Sequence, residues 1–518
     1  MIILHSFCCL GIFLFISTKV LTKKHVMSKI KTRIKNFLKI KKLEVHAMKQ
    51  IFQKKPIAKL MQESKQKTLA RTLGALDLTM LGIGAIVGTG IFVLTGVVAA
   101  KHSGPAIILS FAIAALACAF AAFCYAEFAS SVPVSGSVYT YTYATMGEVF
   151  AFLIGWDLML EYLLATSAVA NGWSAYFQSL LKGFGIHIPT ILSSAPGTGK
   201  GGLIDLPAVI IILIMTALLS RGVRESARVN NIMVFIKIAV VLLFIFAGFN
   251  YVKPENWTPF MPFGLDGVMA GAATVFFAFI GFDAVSTAAE EVKRPQRDLP
   301  IGIIASLLIC TILYIIVSLI LTGIVPYGQL NISDPVAFAL QFIGQDGLAG
   351  VISVGAITGI TTVMLVMMYG QVRVSYAMSR DGLLPKRLAK VHPKFKTPFL
   401  NTWTTGIIAA LISGLIDLNV LAHLVNMGTL SAFALVAVAV IVMRKTHPDL
   451  PRAFKAPLVP VLPALTVIFC LYLMLQLSAT AWMSFGIWMV IGVAVYFLYS
   501  RKHSVLNNKK DEEDVANL

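Results

Sequence analysis

Leu81-Gly82-Ile83-Gly84-Ala85-Ile86-Val87-Gly88-Thr89-Gly90-Ile91-Phe92 and Phe276-Phe277-Ala278-Phe279-Ile280-Gly281-Phe282-Asp283 decide how this chain is read. Each sets helix-breaking residues in the middle of an apolar run long enough to cross a bilayer. The hydrocarbon core offers no water to exposed peptide groups. An interrupted helix therefore survives there only where its freed N–H and C=O groups line an enclosed cavity. Two interruptions in matching positions of two halves point to the binding site of a solute carrier.

The rest of the chain supports a membrane reading. Of its 518 residues, 57% are apolar and 13% charged, too greasy for a soluble multidomain protein. Apolar runs fall near 76–100, 105–130, 147–177, 203–220, 231–250 and 266–290. A second set falls near 299–324, 349–378, 398–416, 420–443, 456–477 and 480–500. The fold class is thus an all-α polytopic membrane protein with twelve helices in its main body.

A net charge of +19 would indicate nucleic acid in a soluble protein, but here Lys and Arg sit in short loops and near the N-terminus. Arg221, Arg224 and Arg228 follow span four, Lys293, Arg294 and Arg297 span six, Arg380 to Lys396 span eight, and Arg444 to Lys455 span ten. Every second loop is basic, which places both termini in the cytoplasm. The loop near 131–146 breaks the rule by having no basic residue, and Tyr139, Tyr141 and Tyr143 mark it as an interfacial segment. No nucleic-acid partner is expected.

Residues 1–47 form an N-terminal extension whose apolar stretch lacks the positive flank of a signal peptide. An over-long translation start, with Met27 or Met48 the natural first residue, a further membrane segment and an amphipathic anchor remain open. Residues 48–75 read as a cytoplasmic segment and 501–518 as a cytoplasmic tail. The six cysteines lie almost wholly in apolar runs without a CxxC pair and read as small hydrophobes. No cofactor or metal is expected. Neither HExxH nor GxSxG nor a sizeable soluble signalling domain is present, which argues against a membrane-embedded enzyme or nutrient receptor.

In span one, Gly88-Thr89-Gly90 lets several N–H groups face a cavity at the start of a new half-helix, a natural anion site. Close packing of small residues is the alternative. In span six, Ile280 to Asp283 can release carbonyls toward an ammonium group, with Phe277 and Ile280 closing over an apolar ligand body. Asp283 would cost about 2.5–3.5 kcal/mol in the bilayer unless it faces a cavity or partner, and it could instead cap a helix. Lys237 is either a snorkelling side chain or a fixed or titrating cation inside the bundle. Asp157 and Glu161 share one face of span three. Glu161 lies deeper, as a proton carrier or substrate-facing carboxylate, while Asp157 orients water or neighbouring polar groups.

Leu73-Gly74-Ala75-Leu76-Asp77-Leu78, the Gly82 to Phe92 run, Tyr125-Ala126-Glu127-Phe128-Ala129, Gly155-Trp156-Asp157-Leu158-Met159-Leu160-Glu161-Tyr162 and Phe276 to Thr287 resemble signatures of the amino acid, polyamine and organocation transporters. Within that superfamily they resemble the cationic amino acid transporter family in its bacterial, twelve-helix form, over about residues 48–500. The resemblance implies a five-plus-five inverted repeat, 76–250 and 266–443, followed by two further helices at 456–500. It implies unwinding of helices one and six around an amino acid, a helix-five lysine in place of sodium, and proton coupling.

The expected substrate-binding residues are Ile86, Gly88, Thr89, Gly90, Phe277, Ile280 and, by resemblance, Met367. Those for coupling or gating are Lys237, Glu161 and Asp283. The bulk of Met364, Met367 and Met368 favours small or medium neutral L-amino acids, taken up with protons across a bacterial inner membrane. Cationic amino acids, or exchange of one amino acid or amine for another, are the alternatives.

Overall fold

The computed structural model of the protein describes residues 53–56, 73–132, 137–198, 201–222, 227–395 and 397–506. The expectations for residues 1–47, most of 48–75 and the last twelve residues lie outside them. The described chain is almost entirely helical. Eight of its helices are long and apolar enough to cross a membrane, and four shorter apolar helices accompany them.

Helix α1 (Ala75–Ile86) starts where the Asp77 carboxylate accepts the Gly74 N–H at 3.0 Å. It stops at Val87, whose extended backbone ends the i to i−4 ladder. The chain resumes as a π-helical turn, Gly90–Leu94, leading into α2 (Thr95–Val98). Three helices follow: α3 (Ile107–Ser131), α4 (Ser137–Thr145) and α5 (Glu148–Gly183). The first half closes with α6 (Leu206–Ser220), begun by an Asp205 side chain that accepts the Ala208 N–H, and α7 (Ala227–Phe249).

The second half opens with α8 (Gly264–Val275), which tightens into a 3-10 turn, Phe276–Phe279, before the short α9 (Ala284–Thr287). It continues through α10 (Pro295–Ile324), α11 (Pro335–Phe342), α12 (Asp346–Arg380), α13 (Phe399–Leu415) and α14 (Leu418–Thr446). Helices α15 (Val461–Leu475) and α16 (Ala479–Val495) come last. These elements match the twelve expected runs, with α4 and α11 lying in loops.

Packing partners recur in exchanged pairs. Helix α1 packs on α7 and α10, and its counterpart α8 packs on α14 and α3. In the same way α5 meets α14 and α13, while α12 meets α7 and α6. The counterparts α3 and α10, α5 and α12, and α6 and α13 pack on each other. An inverted repeat generates this reciprocity, because one operation carries each contact into another.

The segment expected at the interface is instead an inward-packed helix. Tyr139, Tyr141 and Tyr143 of α4 are all buried. Tyr139 donates to Asp381 at 2.8 Å, Tyr143 donates to Glu148 at 2.8 Å, and Tyr141 stacks on Phe128 at 4.9 Å. Three tyrosines in alternation read as amphipathic anchors, but each ring here has found a specific partner inside the fold. Among the described cysteines, Cys118, Cys124, Cys310 and Cys470 are buried free thiols.

Candidate functional site

The interruptions in spans one and six touch each other. Gly90 lies so close to Ala278 that a Cβ at Gly90 would overlap the Ala278 backbone. Gly281, at φ +117°, faces the carbonyl of Ala85, and a Cβ there would stand 2.9 Å from that oxygen. Both its positive φ and this approach require glycine.

Ending α1 at Ile86 frees its last carbonyls, and each meets a defined neighbour. The Gly84 oxygen accepts from Lys237 Nζ at 2.7 Å. The Ala85 oxygen faces Gly281. The Ile86 oxygen lies 2.9 Å from the Tyr314 hydroxyl, which is also 2.8 Å from the Ala278 carbonyl. Lys237 is completely buried, its stem lying over Gly359 of α12, so the snorkelling alternative does not hold. The partial negative charge of a helix C-terminus suits a cation at this place.

On the other side of the break, the N–H groups of Gly88, Thr89 and Gly90 donate to no described carbonyl. Gly88 abuts Val363 of α12, and Met367 follows one turn along the same helix face. Thr89 packs on Gly172 of α5. Ile86, Phe277, Ile280 and Met367 are all buried.

In span six the expected release of carbonyls is narrower than the residue types imply. The Gly281 and Phe282 oxygens accept from the Ala284 and Val285 N–H groups, and that of Asp283 accepts from Ser286. A tight turn has consumed them. The Ile280 carbonyl accepts from no described donor.

Asp283 stands at the N-cap position of α9 without a capping hydrogen bond from its side chain to that helix. Its Oδ2 accepts from the Tyr162 hydroxyl at 3.0 Å. Glu161 is buried within electrostatic range of Asp283 and Asp157, with the Thr429 hydroxyl of α14 beside its carboxyl. Asp157 accepts from Ser431 of α14. None of the three carboxyls forms an ion pair with a described residue. The two interruptions and Lys237 thus meet around the end of α1, and Asp283, at the end of the second interruption, connects them through Tyr162 to the acids of α5.

Sequence reasoning missed Tyr314 and Asn426, both fully buried. The signal was available, because a hydroxyl or amide inside an apolar run must find a partner. Their partners, 36 to 228 residues away, are what sequence does not show.

Residues 73–503 match the family model described as amino acid permease. The chain belongs to the amino acid permease family. The permease is 63% identical over 460 residues to a methylthioribose transporter of Bacillus subtilis (strain 168), covering 89% of this chain and 100% of that protein. It is 61% identical over 461 residues to the branched-chain amino acid permease BcaP of the same organism, covering 88% and 99%. Cationic amino acid transporter 4 of Homo sapiens is 31% identical over 592 residues, covering 90% and 93%. The resemblance to the amino acid, polyamine and organocation transporters is borne out, and with it an integral membrane protein that moves solutes.

Proposed function

We propose that the permease takes up neutral L-amino acids with branched or medium apolar side chains, coupled to protons, by alternating access. Its setting is the bacterial inner membrane with both termini in the cytoplasm, as the basic loops indicate. The observation that carries the reading is the set of N–H groups at Gly88, Thr89 and Gly90 without a carbonyl acceptor. Free donors at the start of a half-helix suit a carboxylate. Across from them the Ile280 carbonyl suits an ammonium group, and Phe277, Ile280 and Met367 supply apolar cover. Gly88, Thr89 and Gly90 are therefore the carboxylate residues and Lys237 the gating cation.

The second reading is methylthioribose, favoured by the 63% identical relative. That neutral thioether sugar has no carboxylate for the free N–H groups. The deciding experiment is uptake of labelled L-leucine into proteoliposomes, with methylthioribose, arginine and the other amino acids as competitors, with and without sodium. Leucine uptake that ignores sodium and falls when the proton gradient collapses is expected. Uptake of labelled methylthioribose together with no uptake of any amino acid sinks the proposal. Uptake only against internal amino acid would replace symport by exchange.

Glu161, Asp283 and Asp157 supply the coupling chemistry in this reading. Three anions buried together carry a large electrostatic cost that proton uptake relieves. Glu161→Gln is expected to flatten the pH dependence of leucine uptake, measured as initial rates from pH 5 to pH 8. A profile that keeps its shape removes Glu161 from the coupling path.

A further inference from the structure

Where α8 tightens into the 3-10 turn at Phe276, the donor N–H groups shift by one residue along the chain. A carbonyl at such a change of pitch needs another partner. Asn426 of α14 supplies it. Its Nδ2 donates to the Ala273 oxygen at 2.7 Å and lies 3.2 Å from that of Thr274. The side chain is fully buried, and its Oδ1 has no described donor.

The same helix holds the other end of the interruption. Phe433, seven residues on, packs against Phe276 at 5.7 Å and Phe282 at 5.0 Å, residues on either side of Ile280 and Gly281. It also meets Tyr125 at 5.5 Å. Between Asn426 and Phe433, Gly428 lies against Asp157 and Glu161, and Ser431 donates to Asp157. One helix thus touches the change of pitch in span six, the residues beyond its turn and the carboxyls of α5.

We infer that Asn426 is a positioning residue for substrate binding, fixing where span six leaves the α-helix and so where Phe277 and Ile280 stand. This rests on the reading of the two interruptions as the substrate site. Its loss acts on substrate recognition more than on the fold, because Phe433 keeps α14 seated. Removing the amide donor leaves the Ala273 carbonyl buried without its partner, and the turn can then slip.

The test uses the full-length permease in proteoliposomes with labelled L-leucine. Asn426→Asp keeps the shape and removes the donor, Asn426→Leu removes all polarity, and Asn426→Gln keeps an amide. The Asp and Leu variants are expected to raise KM about tenfold with the maximal rate changed far less. The Gln variant is expected to recover part of the loss. Asn426→Ser, small enough to be accommodated but too short to reach Ala273, should raise KM in the same sense and decides the matter if the first two do not fold. KM at the wild-type value in Ser, or in folded Asp and Leu variants, overturns the inference, as does a fall in maximal rate alone. Gly90→Ala serves as the control. If it weakens leucine binding while the Asn426 variants do not, only Asn426 loses its role. If wild type takes up no leucine, the substrate reading itself falls.

Discussion

Lys237→Met is expected to lower the initial rate of leucine uptake by roughly a hundredfold while the protein still purifies folded. The methionine stem can occupy the same path over Gly359, so the packing of α7 against α12 survives. What disappears is the donor to the Gly84 carbonyl and the positive charge at the C-terminal end of α1. An orphaned buried carbonyl costs about 1–3 kcal/mol. A charge at a partly buried helix end contributes up to about 2 kcal/mol. Both terms bear on the same few residues, the last turn of α1, and so on the equilibrium between states of the first interruption. The measurement is uptake at equal reconstituted protein, with size-exclusion profile and melting temperature as checks on folding. A rate within twofold of wild type would show that the buried cation does not govern transport.

Gly90→Ala is expected to abolish saturable leucine uptake and to destabilise the fold by about 1–3 kcal/mol, the usual cost of overpacking. The new methyl group would enter the space of the Ala278 backbone, which cannot rotate away as a long side chain can. Relief comes only by separating the two interruptions, and that moves the Gly88 to Gly90 amides away from Ile280. Gly350→Ala is the internal control, since nothing lies within 4 Å of a Cβ there, and it is expected to behave as wild type. Substrate-dependent thermal stabilisation measures binding apart from transport. Its retention in Gly90→Ala would count against the interruptions as the binding locus.

Much of this architecture was legible from residue types because lipid leaves few options to a backbone. Gly88 and Gly281 could be read as interruptions since no helix spans a bilayer through such residues without a reason. Lys237, Glu161 and Asp283 stood out because charge inside an apolar run is costly. The partners were not legible. Lys237 meets a carbonyl 153 residues away, and Tyr314 reaches one 228 residues away. Local pattern also misjudged what a turn consumes: Gly281, Phe282 and Asp283 looked like free acceptors, yet the backbone satisfies them within three residues. The tyrosines of α4 were misread because burial depends on Glu148, Asp381 and Phe128, which the alternation itself does not reveal.

The Tyr314 hydroxyl stands at nearly equal reach of two oxygens, one from each interrupted span. It owns one hydrogen, which the two oxygens share or exchange. The two contacts are almost equal in length, and passing from one to the other needs no more than rotation about a single C–O bond. A tether of this kind holds the halves in register yet resists a small sliding motion very little. A carrier that must shuttle between two faces of a membrane gains from such a coupling more than from a rigid one.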